Sequence, residues 1–162
     1  MEEPMKGILQ KFAIGLLVFL GYLGHGWGYD VELAKKFDSF FSKLTPEVIA
    51  KKPCMISVKN LFEMIEKKEP FVVLDIRTPQ EKKFVSISLP NTIDIPMHEL
   101  FKEENLKKLP KDKLIVVVCH TGARAIAASL PLNMLGYKTV VLDGGISELA
   151  KAAGRSVVGI HW

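Results

Sequence analysis

A cysteine closes the most β-branched run of the chain. Residues 114–118 read LIVVV, and Cys119-His120-Thr121-Gly122-Ala123-Arg124 follows at once. A loop in this position, leading into a helix, can curl so that successive backbone N–H groups point inward and form an anion-binding nest. The helix start adds partial positive charge, and Arg124 adds a full one. Gly122 permits a backbone conformation closed to residues with a Cβ. Nest, helix and arginine all favour the thiolate of Cys119. The chemistry that follows is attack by nucleophilic sulfur on an anion held in the same cradle, with His120, Thr121, Gly122, Ala123 and Arg124 binding it. A cysteine ending a strand, taken alone, reads as a small buried hydrophobe. The order strand, Cys, Gly, Arg, helix turns that reading toward a reactive site.

Such a loop needs a scaffold, and the flanking sequence supplies one. Strands are expected at Met55–Val58, Phe71–Ile76, Thr92–Ile95, Leu114–Val118 and Thr139–Leu142. FVVLDI and LIVVV are continuous apolar runs, the pattern of strands buried on both faces. Helices are expected at Asn60–Lys68, Pro79–Phe84 and Ala123–Leu135, the last closed by Gly136. A helical turn or two is expected at Met97–Lys102, and Gly144-Gly145 turns into a helix over Ile146–Ala152. Alternation with short connections implies an α/β fold: an open, mostly parallel five-stranded sheet with helices on both faces. Ligands of such sheets lie at the carboxyl ends of the strands, which is where Cys119 falls.

These residues resemble a known family. LIVVVCHTGARAIAASLPLNMLGYKTVVLDGGI is similar to the active-site half of the rhodanese, or thiosulfate sulfurtransferase, domain. VVLDIRTPQEKKF is similar to its first half, whose strand ends in Asp-x-Arg, then Thr-Pro and an acidic residue; here these are Asp75, Arg77, Thr78, Pro79 and Glu81. The likeness runs over about residues 55–158. Two places depart from the family: its Gly-His-Ile-Pro-Gly-Ala stretch is Ile87-Ser88-Leu89-Pro90-Asn91-Thr92, and its tryptophan after Gly-Gly is Leu149. The resemblance implies that Cys119 takes a sulfane sulfur from thiosulfate or another persulfide or polysulfide donor. A Cys119 persulfide then passes it to a thiol, a protein cysteine or cyanide. It implies further that the backbone N–H groups of residues 120–124 hold the terminal sulfur, and that Asp75 and Arg77 brace the loop as an ion pair. No cofactor is implied.

Two other functions share part of the pattern. Phosphatases and arsenate reductases also place a cysteine in an oxyanion loop ending in arginine. Their loops hold five residues between the two, whereas this one holds four. A rhodanese-like binding module tethered at the membrane, without turnover, is the other alternative.

The remaining features set the context. The chain has 162 residues, room for one compact domain and a small extra segment. Its formal charge is +4, but the basic residues are overwhelmingly lysine, a solvated surface rather than the arginine-rich footprint of a nucleic-acid reader. Two cysteines exclude a disulfide framework. Cys54 reads as an unpaired thiol at the domain edge, with resolution of a Cys119 persulfide as the alternative. The histidines show no ligand spacing, so no metal site is expected. Phe12–Leu23 is an uncharged apolar run preceded by Lys6 and Lys11. It reads as a signal peptide within residues 1–28, or as an uncleaved membrane anchor over residues 8–27. Either way the rest of the chain is exported, to the periplasm or the outer face of the cytoplasmic membrane. Residues 29–54 read as a helical linking segment. Its stripe of Phe37, Phe40, Phe41 and Leu44 is expected to lie back on its own domain.

Overall fold

A computed structural model describes residues 28–89, 91–153 and 158–160. The apolar run Phe12–Leu23 lies outside them. Among the described residues, no helix is long and apolar enough to cross a membrane. The chain divides into two compact units, Met1–Lys43 and Leu44–Trp162. The described part of the first holds helix α1, Val31–Phe41, which starts where the Asp30 carboxylate accepts the Leu33 N–H at 2.9 Å. Phe40 and Phe41 meet edge to face along it, with ring centroids 5.4 Å apart.

The second unit is built from α2 (Pro46–Ala50), β1 (Met55–Ile56), α3 (Val58–Glu66), β2 (Phe71–Asp75), α4 (Pro79–Phe84), β3 (Val85–Ile87), β4 (Thr92–Asp94), α5 (Glu103–Leu106), β5 (Leu114–Val118), α6 (Ala123–Met134), β6 (Lys138–Leu142), α7 (Gly145–Ala153) and β7 (Val158–Ile160). Five strands form one sheet in the order β1-β6-β5-β2-β4, every pair parallel. β5 is therefore central, as its composition implies.

Alternation along β5 divides the core in two. Ile115, Val117 and Cys119 face one apolar cluster with Ala125, Ala128 and Leu132 of α6. Val116 and Val118 face the other, with Leu61 of α3 and Ile146 and Leu149 of α7. The period of two thus places Cys119 on the α6 side of the sheet, next to the start of that helix. Leu149, which stands where the family carries tryptophan, is fully buried in the opposite layer.

Three elements differ from the sequence reading. The first strand stops at Ile56, because Ser57 and Asn60 cap each other's backbone and start α3 two residues early. Glu103–Leu106 forms a short helix after the 3-10 turn at Met97–Glu99. β3 and β7 pair as an antiparallel ribbon outside the main sheet, Val85 opposite Ile160.

A buried ion pair ties that ribbon to the sheet. The guanidinium of Arg77 donates to both carboxylate oxygens of Asp75, its shortest contact 2.7 Å, and to the Val85 carbonyl at 2.9 Å. Both side chains are 1% exposed. Removing one partner leaves an uncompensated buried charge, so Asp75→Ala should cost about 3–5 kcal/mol of stability in urea unfolding. A loss under about 1 kcal/mol would show that water replaces the carboxylate there.

Candidate functional site

The loop after β5 is held from outside by the start of α7. The Ile146 N–H donates to the Cys119 carbonyl at 2.9 Å, and the Ser147 N–H to the His120 carbonyl at 3.1 Å. The Ser147 hydroxyl donates to the same His120 oxygen at 3.0 Å. In a trans peptide the N–H lies opposite the C=O. With both carbonyls turned to α7, the N–H groups of His120 and Thr121 point the other way, into the loop. The Gly122 N–H is already engaged there: it donates to Cys119 Sγ at 3.1 Å. Gly122 has φ +103°, so the chain can turn over the sulfur and enter α6 at once.

This packing depends on Gly145. Its φ is +57°, and a Cβ there would sit 2.4 Å from the Cys119 carbonyl oxygen and 2.7 Å from that of His120. Both are backbone atoms, with no rotamer to change. Gly144, at φ +70°, would instead meet the Glu148 side chain.

Arg124 lies in the first turn of α6 and faces two groups. Its guanidinium makes a two-pronged bond to Glu81 of α4, Nη1 to Oε2 at 2.9 Å and Nη2 to Oε1. It also interacts with the sulfur of Cys119. The bond to Glu81 first, and the charge of Cys119 after it, raise the pKa of Arg124. Glu81 is itself fixed: the N–H and hydroxyl of Thr78 donate to its Oε2, and Glu81 returns its own N–H to the Thr78 hydroxyl. This capping box starts α4. The bond from Arg124, helped by those from Thr78, lowers the Glu81 pKa to about 2.

Of the residues singled out in the sequence, the structure gathers Cys119, His120, Thr121, Gly122, Ala123 and Arg124 into one loop and helix start. His120 and Thr121 are exposed, whereas Cys119 is 1% exposed. Asp75 and Arg77 join each other and β3, while Ile76 donates its N–H to the Val118 carbonyl just before the loop. Glu81 was noted in the sequence only as part of a motif. The signal that marks it out is Thr78-x-x-Glu81, a capping box facing the arginine.

Cys54 lies elsewhere. Met55 is in register with Val141, and Val141 with Val117. Cys54 is therefore level with Val116, two strands across and three residues short of Cys119. At about 4.8 Å per strand and about 3.3 Å per residue, their Cα atoms are separated by about 14 Å. That is twice the reach of a disulfide, roughly 7 Å. Both cysteines are free. Among the described residues, no group of three or more His, Cys, Asp or Glu side chains is placed to hold a metal ion. A cleft of about 440 Å³ opens on the other side of α4, lined by Asp75, Pro79, Lys82, Lys83, Ser86, Ile87 and Asp94. Cys119 is not part of it.

Fold and loop together define an α/β domain built around a cysteine in a backbone cradle. The chain belongs to the rhodanese-like domain family, whose model matches residues 57–152. A sulfurtransferase of Allochromatium vinosum is 32% identical over 97 residues, 59% of this chain and 87% of that protein. A mitochondrial thiosulfate sulfurtransferase of Saccharomyces cerevisiae is 29% identical over 108 residues, 62% of this chain and 72% of that one. The crystal structure of a rhodanese-related protein from Thermoplasma volcanium superposes with a TM-score of 0.51 at 37% identity, covering 60% of this chain and 91% of that chain.

Two outcomes test this geometry. Gly145→Ala should lower the Tm by more than Gly136→Ala. Gly136, at φ +88°, has open space where its Cβ would go, so only the backbone penalty of about 1–3 kcal/mol applies there. Equal losses would mean that the loop yields freely to α7. Glu81 should titrate by carbon NMR near pH 2. Because this lies below the unperturbed value of 4.5, its contribution to stability is in place above pH 4.5 and is lost as the pH falls through about 2. A titration midpoint near 4.5 would show that the pair with Arg124 is absent in solution.

Proposed function

We propose that this protein is a sulfurtransferase that carries a sulfane sulfur on Cys119. The cradle supports the reading most directly: Gly122 N–H lies 3.1 Å from Sγ, at the head of α6, and the Cys119 and His120 carbonyls are drawn outward by α7. Such a cradle stabilises an anion on the cysteine sulfur, or on a second sulfur bonded to it. Cys119 as thiolate attacks the outer sulfur of the donor. A new S–S bond forms, the donor's own S–S bond breaks, and its electron pair leaves with sulfite or a thiolate. An acceptor thiolate then attacks the outer sulfur of the Cys119 persulfide and restores the Cys119 thiolate. This is covalent ping-pong catalysis. The residues around the outer sulfur are His120–Arg124, with Asp75 and Arg77 bracing the strand ends beneath. The relatives named above, described as sulfurtransferases, support the same chemistry. The apolar run Phe12–Leu23 supports export, with this domain on the outer side of the cytoplasmic membrane.

The test is intact mass of the full chain in mild detergent, reduced and then exposed to a sulfur donor. Wild type and Cys54→Ser should each gain one sulfur atom that cyanide removes, and Cys119→Ser should gain none. Loading on Cys54, or on neither cysteine with thiosulfate, polysulfide and glutathione persulfide, would overturn the assignment.

A further inference from the structure

Helix α1 carries an apolar stripe that it buries nowhere. With a helical turn of about 100° per residue, Leu33, Phe37, Phe40 and Phe41 fall within about 100° of arc. The other side is polar: Lys35 pairs with Glu32 at 3.0 Å, both well exposed, and Ser39 stands beside them. No residue of α1 is buried. Leu33 is 43% exposed, Phe37 38% and Phe41 48%. The rings of Phe40 and Phe41 meet at 5.4 Å, and that of Phe37 lies 6.5 Å from Phe41, so the three form one aromatic wedge.

An apolar face this open calls for a cover, and three features say which. The first is its place in the chain. Val31 follows the end of the uncharged run Phe12–Leu23 by eight residues, so α1 starts no more than about 29 Å from that end. Whatever surface the run enters is within reach of α1. The second is what stands between them, Trp27 and Tyr29. Tryptophan and tyrosine favour the boundary between a bilayer and water. The third is charge. Over residues 28–43, Lys35, Lys36 and Lys43 balance Asp30, Glu32 and Asp38. The segment has no net charge to match an acidic or a basic protein, and apolar area alone is left to drive its association. Helices with bulky apolar side chains on one side and charged ones on the other lie in the plane of a bilayer, sunk to the boundary of headgroups and acyl chains.

Going beyond sulfur transfer, and resting on the proposed export through Phe12–Leu23, we infer that α1 is an interfacial membrane helix. It lies along the lipid surface with Leu33, Phe37, Phe40 and Phe41 at the outer edge of the acyl chains and Lys35 and Ser39 in water. Because apolar area holds it there, zwitterionic lipid suffices and salt does not release it.

The experiment uses the full chain in phosphatidylcholine vesicles. Cys54→Ser and Cys119→Ser clear the background, and a polarity-sensitive dye is attached to one new cysteine at a time. Phe37→Cys and Phe41→Cys report the stripe, Ser39→Cys the polar side, and Leu17→Cys the apolar run. Lipids carrying a nitroxide near the headgroups should quench the dyes at 37 and 41 several-fold more than the dye at 39, in low and high salt alike. Stripe dyes that emit as in water and stay unquenched would overturn the inference. So would dyes shielded from water but beyond the reach of the lipid nitroxides, the mark of a stripe covered by the α/β domain or by a second copy. Equal quenching at 37, 39 and 41 would overturn it too, since a helix lying on the surface keeps one side in water. The dye at 17 separates this inference from the reading beneath it. Quenching there by a mid-chain nitroxide, with none at 37 and 41, would leave the run in the membrane and remove α1 from its surface. No quenching at any position would remove both.

Discussion

The Cys119 loop is organised by where its carbonyls go. Each peptide unit is a rigid plane with its donor and acceptor on opposite edges. When the first N–H groups of α7 take the Cys119 and His120 oxygens, the opposite edges have no choice but to face inward. The arrangement solves two problems at once. The first turn of a helix has N–H groups with no partner within the helix, and a loop curled around a sulfur has carbonyls that must be kept away from negative charge. Each satisfies the other. The contact is so close that no side chain fits between the two backbones, which is why glycine stands at position 145.

The same economy appears at Glu81. One carboxylate closes the N-terminus of α4 and fixes the guanidinium of Arg124 beside the sulfur. The two ends of this bridge are 43 positions apart in the chain, one in the half that ends β2 and the other in the half that follows β5. β2 and β5 are neighbours in the sheet, in register from Phe71 with Leu114 to Asp75 with Val118. The bridge therefore closes above two strands whose alignment is already fixed by their apolar side chains. Burial sets the frame, and the polar groups at the strand ends need only short reaches to meet.

Much of this frame was legible in the residues themselves. LIVVV and FVVLDI are buried on both faces, and continuous apolar runs carry that information directly. Gly122, Gly136 and Gly144-Gly145 mark sharp changes of backbone direction that their positive φ angles bear out. The antiparallel ribbon of β3 and β7 was not legible. Its strands are three residues each and about 70 positions apart, and neither run is long enough to show a period. Ser57 was missed as a helix start because Val58 continues the apolar run of β1, and the Ser57–Asn60 pair overrides it. The pairing of Arg124 with Glu81 was out of reach for a different reason. Sequence places the arginine at a helix start with its full charge open to the thiol; only the fold brings the Glu81 carboxylate against it.

The proposed sulfur transfer asks less of this arginine than phosphoryl or arsenate chemistry at a cysteine loop would. An arginine that serves a tetrahedral oxyanion offers two parallel N–H bonds to two of its oxygens. Here those two bonds end on Glu81. The four residues between Cys119 and Arg124 wrap the sulfur closely enough for the Gly122 N–H to reach it. A persulfide needs no more than this. Its negative charge sits on one large, polarisable atom, which backbone donors can surround, whereas a phosphoryl group spreads charge over three oxygens that each require a partner of their own. Backbone donors point where the chain forces them and cannot follow three diverging oxygens. The loop thus suits a single anionic atom, and the guanidinium at its helix start already makes its two parallel bonds to Glu81.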